Sequence, residues 1–435
     1  MSNVLFIEKR LRTDKLGMLY LSAVMKNAGH NVDMIQDEID NAEEYLSKHN
    51  IDFVMYSVMT SEAPWYFERN KELKKKFKFK SVFGGPHFTY YPGEGVDDEN
   101  VDYIVRGPGE NVINDIIDGK IKDKVTMGII PDLSKMPQPD RTILYKYPYF
   151  GEAGIKRFMA CRDCYHSCKF CASKRYREIF KDQKCAFYQI TDVNKLLDEI
   201  ENVRKVYKLE FVYFNDDDLA GHKKWFKEFL EKYRERINLP WGCEIRASSV
   251  DYETIKEMSK ANCKTVFIGL ESANDETLKL IGRTVTAQQV RDVAFACSEC
   301  GIRVSLENMI GLPVKDPLKD ALETLQFNMD LPQVHSWCAI YQPFPHTELW
   351  KYCIDKELYE PKKYAGFVVF EDTSLLNIPN KEELSRLQKW WYYIVKHKLP
   401  MSHVEVLLRT PLKKEFIEKL NKHRYQMAYE ELYCV

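Results

Sequence analysis

The first 115 residues alternate short apolar runs with polar, helix-compatible stretches. Val4-Leu5-Phe6-Ile7, Phe53-Val54-Met55-Tyr56, Ser81-Val82-Phe83 and Tyr103-Ile104-Val105 read as strands, and 16–28 and 65–76 read as helices. Strands alternating with helices imply a parallel, doubly wound α/β sheet. Ligands of such sheets gather beyond the carboxyl ends of the strands. Those ends read Ser57-Val58-Met59-Thr60, Gly84-Gly85-Pro86-His87 and Arg106-Gly107-Pro108-Gly109-Glu110, so three glycine- or hydroxyl-bearing loops converge on one edge.

The rhythm fades over 116–150, where Pro131, Pro137, Pro139 and Pro148 accumulate, as in a linker. It resumes with strands expected at about 156–160, 209–214, 241–246, 264–269, 302–310 and 335–341, separated by helices such as 195–207, 223–236 and 287–300. Six βα units predict a partial (β/α)6 barrel, not a closed eight-fold one. Beyond 345 the strand signals stop, and helices near 381–397 and 413–429 read as a cap on the barrel or a substrate lid. The expected domains are therefore 1–145, 146–345 and a helical 346–435.

A chain of 435 residues with 45% hydrophobic composition has enough apolar surface for two or three packed units. Lys plus Arg number 64 against 65 for Asp plus Glu, so no net field draws the chain to nucleic acid or an anionic membrane. No apolar run reaches the roughly 20 residues that span a bilayer, and the N-terminus lacks a signal-peptide pattern. A cytoplasmic location is expected. There, twelve Cys point to metal or cluster ligation by a tightly spaced subset before a disulfide framework.

That subset stands at the end of the first barrel strand: Cys161-Arg162-Asp163-Cys164-Tyr165-His166-Ser167-Cys168-Lys169-Phe170-Cys171. Cys164, Cys168 and Cys171 have the spacing CxxxCxxC. Three thiolates on one short loop can ligate three irons of a cubane and leave the fourth open to an exogenous ligand. A structural zinc site wants four protein ligands, which Cys161 or His166 would have to complete. Cys161 otherwise reads as a small buried thiol. Cys297 and Cys300 lie in an expected helix with no partner pair and read as core.

With Phe170 before the last cysteine, this segment resembles the signature of the radical S-adenosylmethionine (SAM) superfamily, and the resemblance extends over 150–345. It implies a [4Fe–4S] cluster whose open iron binds the methionyl amine and carboxylate of SAM, and whose electron cleaves SAM to a 5′-deoxyadenosyl radical. Phe214-Asn215-Asp216-Asp217-Asp218 resembles the segment that meets the methionyl amine, through Asp216 or Asp217. Asp218 reads equally as the cap of the following helix. Arg246, in Cys243-Glu244-Ile245-Arg246-Ala247-Ser248, is placed to fork onto the SAM carboxylate. Glu271 lies in Gly269-Leu270-Glu271-Ser272, similar to the family's Gly-x-Glu-Ser, and is expected to serve the cofactor. Arg283 matches an arginine that often follows, or is a helix-end arginine. Ser305 and Asn308, in the stretch 305–313, resemble residues packing around adenine. The segment 342–349 also resembles the family, with His346 where glycine is usual.

The N-terminal domain resembles the cobalamin-binding domain that precedes the barrel in one branch of these enzymes. Ser57, Thr60, Gly84, Gly85, His87, Gly107 and Glu110 carry the resemblance, glycines allowing backbone to approach the corrin. No Asp-x-His-x-x-Gly is present, so a histidine ligand to cobalt is not expected, and His87 reads as a loop residue. A domain that no longer binds cobalamin, or that holds another nucleotide, stays open.

The resemblance implies a cobalamin-dependent radical SAM methyltransferase acting on an unactivated carbon or phosphorus of a small molecule or peptide. An electron donor such as flavodoxin or ferredoxin would serve it. The alternatives are a cobalamin-dependent cyclase, oxidase or rearrangement enzyme and a non-catalytic cobalamin- or iron-responsive protein. The aromatic stretch 359–370 hints at an apolar or aromatic ligand.

Overall fold

The computed structural model describes residues 1–183, 189–332, 334–361 and 373–433. The chain forms two compact units. The first comprises Met1–Arg157, Tyr176–Asp192 and Asn202–Lys208; the second comprises Phe158–Arg175, Val193–Glu201 and Leu209–Val435.

In the first unit six strands, β1 (Asn3–Glu8), β2 (Asn31–Gln36), β3 (Phe53–Ser57), β4 (Lys80–Gly84), β5 (Tyr103–Arg106) and β6 (Val125–Met127), form a parallel sheet of order β2-β1-β3-β4-β5-β6. Leu5, Ile7, Val54, Phe83 and Ile104 are fully buried in it, each stabilising the fold by about 1.5–3 kcal/mol relative to exposure. The chain order reverses between β1 and β3, the position where doubly wound sheets bind ligands.

The stretch expected as a linker is ordered structure. It holds the helix Ile113–Ile117, the edge strand β6 and the helices Thr142–Tyr145 and Pro148–Gly151. Leu144 and Tyr145 are buried, and Ser22 Oγ donates to Asp140 at 2.6 Å, so the segment packs back onto the sheet domain.

A second six-stranded sheet has simple sequential order: β7 (Ile155–Phe158), β8 (Phe211–Phe214), β9 (Trp241–Ile245), β10 (Cys263–Glu271), β11 (Arg303–Ile310) and β12 (Val334–Ile340). The pairs from β8 to β12 are parallel. These are the six expected strands, within a few residues at each end. The helix Lys381–His397 buries Leu384, Leu387, Trp391 and Ile394 in the core shared with Ile310 and Ile340, and Trp391 Nε1 donates to Ser336 on β12 at 2.7 Å. The last helix, Lys414–Tyr433, is fastened to the start of β10, where Thr265 Oγ1 donates to the Leu432 carbonyl at 2.6 Å. No helix among the described residues is long and apolar enough to cross a membrane.

Candidate active site

The cysteine loop begins where β7 ends. Asp216, just past β8 and 1% exposed, accepts hydrogen bonds from the amides of Ala160 at 3.0 Å and Cys161 at 2.5 Å. It therefore fixes the direction in which the chain leaves the sheet. The far end of the loop is tied by Lys169 N to the Ile281 carbonyl at 2.8 Å and by Leu349 N to the Lys169 carbonyl at 2.9 Å. Gly282, at a φ of +73°, allows this docking: a Cβ there would lie 2.9 Å from Lys169 Cγ. Phe170 packs against the core that contains Leu278 and Ile281 and so anchors the loop.

Cys168 is buried, and Cys164 and Cys171 are half-buried. Burial pushes the Cys164 thiol up to about 12 and the Cys171 thiol upward. Thiolates at these positions need cations beside them, which cluster irons provide. The donor set fits a [4Fe–4S] cluster with one open iron. The imidazole that a zinc knuckle would draw on is turned to an acid: His166 Nε2 faces Asp218 Oδ2 at 3.5 Å. Cys161 is a buried thiol, as expected.

The three acids after β8 have three different roles. Asp216 is committed to backbone amides. Asp218 does not cap the turn Leu219–Gly221 that follows it; its carboxylate accepts from Ser249 Oγ at 2.6 Å and Arg246 N at 3.2 Å, tying the β8 loop to the β9 loop. Asp217 alone is exposed. The expectation that Asp216 could meet the methionyl amine is thus corrected, since the turn after β8 commits it to the backbone of the cysteine loop while its neighbour Asp217 faces out.

Arg246, 5% exposed, extends Nη1 to within 3.8 Å of Cys168 Sγ, while Nε donates to Ser248 and Nη2 to Thr284 at 2.8 Å. Glu271 ends β10 at a φ of 68°, next to a register shift against β11, and this left-handed turn sets its carboxylate 3.9 Å from Arg283 Nη1. Gly269 makes room for the pair: a Cβ there would meet Glu271 Oε1 at 2.7 Å and Arg283 Nη2 at 3.0 Å.

On β11, Ser305 Oγ donates to Glu307 at 3.1 Å. Burial, with Glu244 and Glu271 nearby, pushes the Glu307 carboxyl up to about 8. Glu307 escaped the sequence reading, although its two-residue spacing from Ser305 places both on one strand face. The native state holds this proton at pH values where the unfolded chain, near about 4.3, has released it. Stability should therefore fall as pH rises from that range toward about 8, and E307Q should flatten this limb in pH-dependent thermal melts of the apoprotein.

Asn308, expected near adenine, occupies the opposite face. Its amide donates to the Trp337 carbonyl at 2.8 Å, Ser336 Oγ at 3.1 Å and Asn328 Oδ1 at 3.3 Å, all inside the packing beneath the covering helices. It is a residue of the fold, placed away from Ser305 and Glu307 by strand alternation. His346 adopts a φ of 65°, the conformation that favours the glycine usual there. Of the aromatic stretch 359–370, positions 362–370 lie outside the described residues.

In the first unit the loops after β3, β4 and β5 are stitched together: Val58 N to Gly84 O at 3.0 Å, His87 N to Val58 O at 3.0 Å, and Gly107 N to Thr89 Oγ1 at 3.2 Å. Ser57, Thr60, Gly84 and Gly85 are partly exposed at this edge, and Glu110 is buried beside it. Gly84 presents open backbone, since a Cβ there would find only Val105 O at 3.8 Å. Of Gly84, Gly85 and Gly107, it is Gly84 that leaves room for a corrin to approach the backbone. Two glycines have other reasons, however. Gly85, at +89°, lies so close to the Val58 backbone that a Cβ would come within 2.6 Å of its nitrogen, and a Cβ on Gly107, at +92°, would come within 2.1 Å of the Phe180 ring.

His87 is in the short helix Pro86–Tyr90 and is 1% exposed, with Nδ1 at 3.4 Å from Thr60 Oγ1 and Nε2 at 3.1 Å from Glu94. At this burial the ring is enclosed by protein, so neither nitrogen is offered at the sheet edge. The cobalt(II) EPR spectrum of the corrin-loaded protein should lack imidazole nitrogen splitting and stay unchanged in H87Q.

Comparison with known proteins agrees with this geometry. Residues 3–117 match the B12 binding domain and residues 160–327 the radical SAM superfamily. An uncharacterized methyltransferase of Pyrococcus horikoshii is 24% identical over 413 residues, covering 87% of this chain and 86% of that protein. The anaerobic magnesium-protoporphyrin IX monomethyl ester cyclase of Rubrivivax gelatinosus is 26% identical over 387 residues, 79% of this chain and 67% of that one. The radical SAM methyltransferase TsrM of Kitasatospora setae, solved with tryptophan and a SAM analog, shares the fold at a TM-score of 0.68 and 16% identity, over 82% of this chain and 76% of that chain.

Proposed function

Because the chain joins a B12-binding domain to a radical SAM domain and so belongs with the cobalamin-dependent radical SAM enzymes, we propose that it transfers a methyl group from SAM to an unactivated carbon, or to phosphorus, of a small molecule or peptide. Its cofactors are a [4Fe–4S] cluster, SAM and cobalamin. When bound, the cluster supplies the electron that splits the SAM sulfonium, and cobalamin serves as the methyl carrier.

The observation that carries the methyl-transfer reading is the position of His87. With Thr60 and Glu94 facing its two ring nitrogens, His87 stays with the protein, and a corrin held at this edge by Ser57, Thr60 and Gly84 would supply methyl-carrier chemistry without it. The relative from Pyrococcus horikoshii and TsrM both carry methyltransferase names, which supports the same reading. The chain's own residues bind and orient. Cys164, Cys168 and Cys171 hold the cluster; Arg246, its nitrogens held by Cys168, Ser248 and Thr284, offers the SAM carboxylate its charge and not a free fork; Asp217, exposed after β8, meets the amine; Glu271 is fixed by its left-handed turn beside Arg283.

A cyclase or oxidative reaction without net methylation is the second reading, favoured by the match to the Rubrivivax gelatinosus cyclase. SAM with a deuterated methyl group, incubated with the reconstituted protein, a low-potential donor such as flavodoxin or ferredoxin, and extracts of candidate substrates, separates the two. Methyl transfer puts the label into a product and forms S-adenosylhomocysteine. Deoxyadenosine without labelled product or S-adenosylhomocysteine supports the second reading.

A further inference from the structure

Two guanidinium groups converge on a single cysteine sulfur. Arg246 Nη1 lies 3.8 Å and Arg283 Nη1 3.9 Å from Cys168 Sγ. Cys171, by contrast, has neutral partners: its sulfur accepts from the Ser173 amide and donates to the Ser173 hydroxyl, both at 3.5 Å. Arg246 is buried, and the Arg283 side chain is 10% exposed. Both charges are permanent, and at such burial they act through a lower dielectric than water.

Arg283 is not simply the partner of Glu271. Their closest approach is 3.9 Å, too long for a forked ion pair. Its Nη2 is instead bonded to the Gly269 carbonyl, and Nε is buried without a hydrogen-bond acceptor. Burial also pushes the Glu271 carboxyl upward. Two fixed cations thus stand at Cys168, and their surroundings hold them there: Gly269 has no Cβ to displace Arg283, and the Thr284 hydroxyl steers Arg246.

We propose that Arg246 and Arg283 form a paired cationic clamp on the Cys168 thiolate that makes the cluster easier to reduce, with Arg283 acting as a positioning and tuning residue. Hydrogen bonds and charge at cluster sulfurs set reduction potentials. One-electron reduction adds negative charge to the cluster, and two fixed cations at one sulfur stabilise that state over the oxidised one. The electron comes from an external low-potential donor. This role rests on the cluster alone and holds whether the enzyme methylates or cyclises its substrate.

The test is EPR-monitored potentiometry of the anaerobically reconstituted full chain, without substrate. R283Q, with iron and sulfide matching the wild type, should have a reduction equilibrium about tenfold less favourable, a midpoint about 59 mV more negative for a one-electron couple. R283K, which keeps the charge, should recover most of the shift. Should R283Q fail to hold iron, T284V carries the test: it removes the hydroxyl that steers Arg246 and touches no cysteine, and a negative shift of the same sign is expected. A wild-type midpoint in R283Q, or in T284V where R283Q does not load, would overturn the clamp and leave Arg283 a barrel ion pair.

Discussion

Replacing Cys168 by alanine should abolish 5′-deoxyadenosine formation and also destabilise the chain before any metal is added. The first effect follows from ligand count, because two thiols cannot hold three irons of a cubane. The second follows from the two guanidiniums aimed at the sulfur at 3.8 and 3.9 Å. Removing their acceptor leaves buried charged donors unpaired, at a cost of about 1–3 kcal/mol. C168S separates the effects, since a hydroxyl still accepts from both arginines but does not replace the thiolate at iron. Denaturant unfolding of the apoproteins should place C168S near the wild type and C168A below it, while both fail to retain iron and to cleave SAM.

Asp216 carries the second large effect. Its carboxylate takes the amides of Ala160 and Cys161 at the point where the chain leaves β7 for the cluster loop. D216A would strand two buried backbone donors, a loss of about 3 kcal/mol, and would free the loop to leave the geometry that three thiols need. D216N keeps one oxygen and should fall between. Burial raises the Asp216 carboxyl to about 6, so the native state holds its proton above the unfolded chain's range near about 3.9. Its contribution to stability therefore declines as pH rises toward about 6, a dependence that D216N should lack. Urea titrations at several pH values, with iron retained after reconstitution as a second readout, measure both consequences.

Much of the fold is legible in the apolar runs. Val4 to Ile7 and Phe53 to Tyr56 are uninterrupted, and buried parallel strands look like that. Strand β2 escapes a reading by pattern because Asn31, Asp33 and Gln36 break up its apolar positions, and β6 because three residues at a sheet edge, within a proline-rich stretch, carry little periodic signal. The helices after 345 show as leucine and aromatic stripes, but their sharing of one core with Ile310 and Ile340 is a tertiary fact.

The cluster ligands are legible because one loop supplies all three. Residues that converge from distant strands are less so. Sequence leaves Asp216 and Asp217 interchangeable and offers Asp218 as a cap, and only the turn after β8 sends one to the backbone, one outward and one to Ser249. Asn308 has the right residue type on the wrong face of its strand. Gly107 is expected from sequence to admit a corrin, whereas the group it admits is Phe180, more than seventy positions along the chain. Arg283 reads either as the arginine that often follows the family segment or as a helix-end arginine, and its approach to Cys168 appears only in the fold.

The central claim, one chain holding a SAM-cleaving cluster and cobalamin, is tested most directly by anaerobic reconstitution with iron, sulfide and hydroxocobalamin. Iron, sulfide and corrin are then quantified, and deoxyadenosine is assayed with dithionite as reductant. The account predicts about four irons and bound corrin per chain, with deoxyadenosine formed by the wild type and absent from C168S. Iron without corrin would contradict the cobalamin assignment, and a loaded cluster that leaves SAM intact under strong reduction would contradict the radical SAM activity itself.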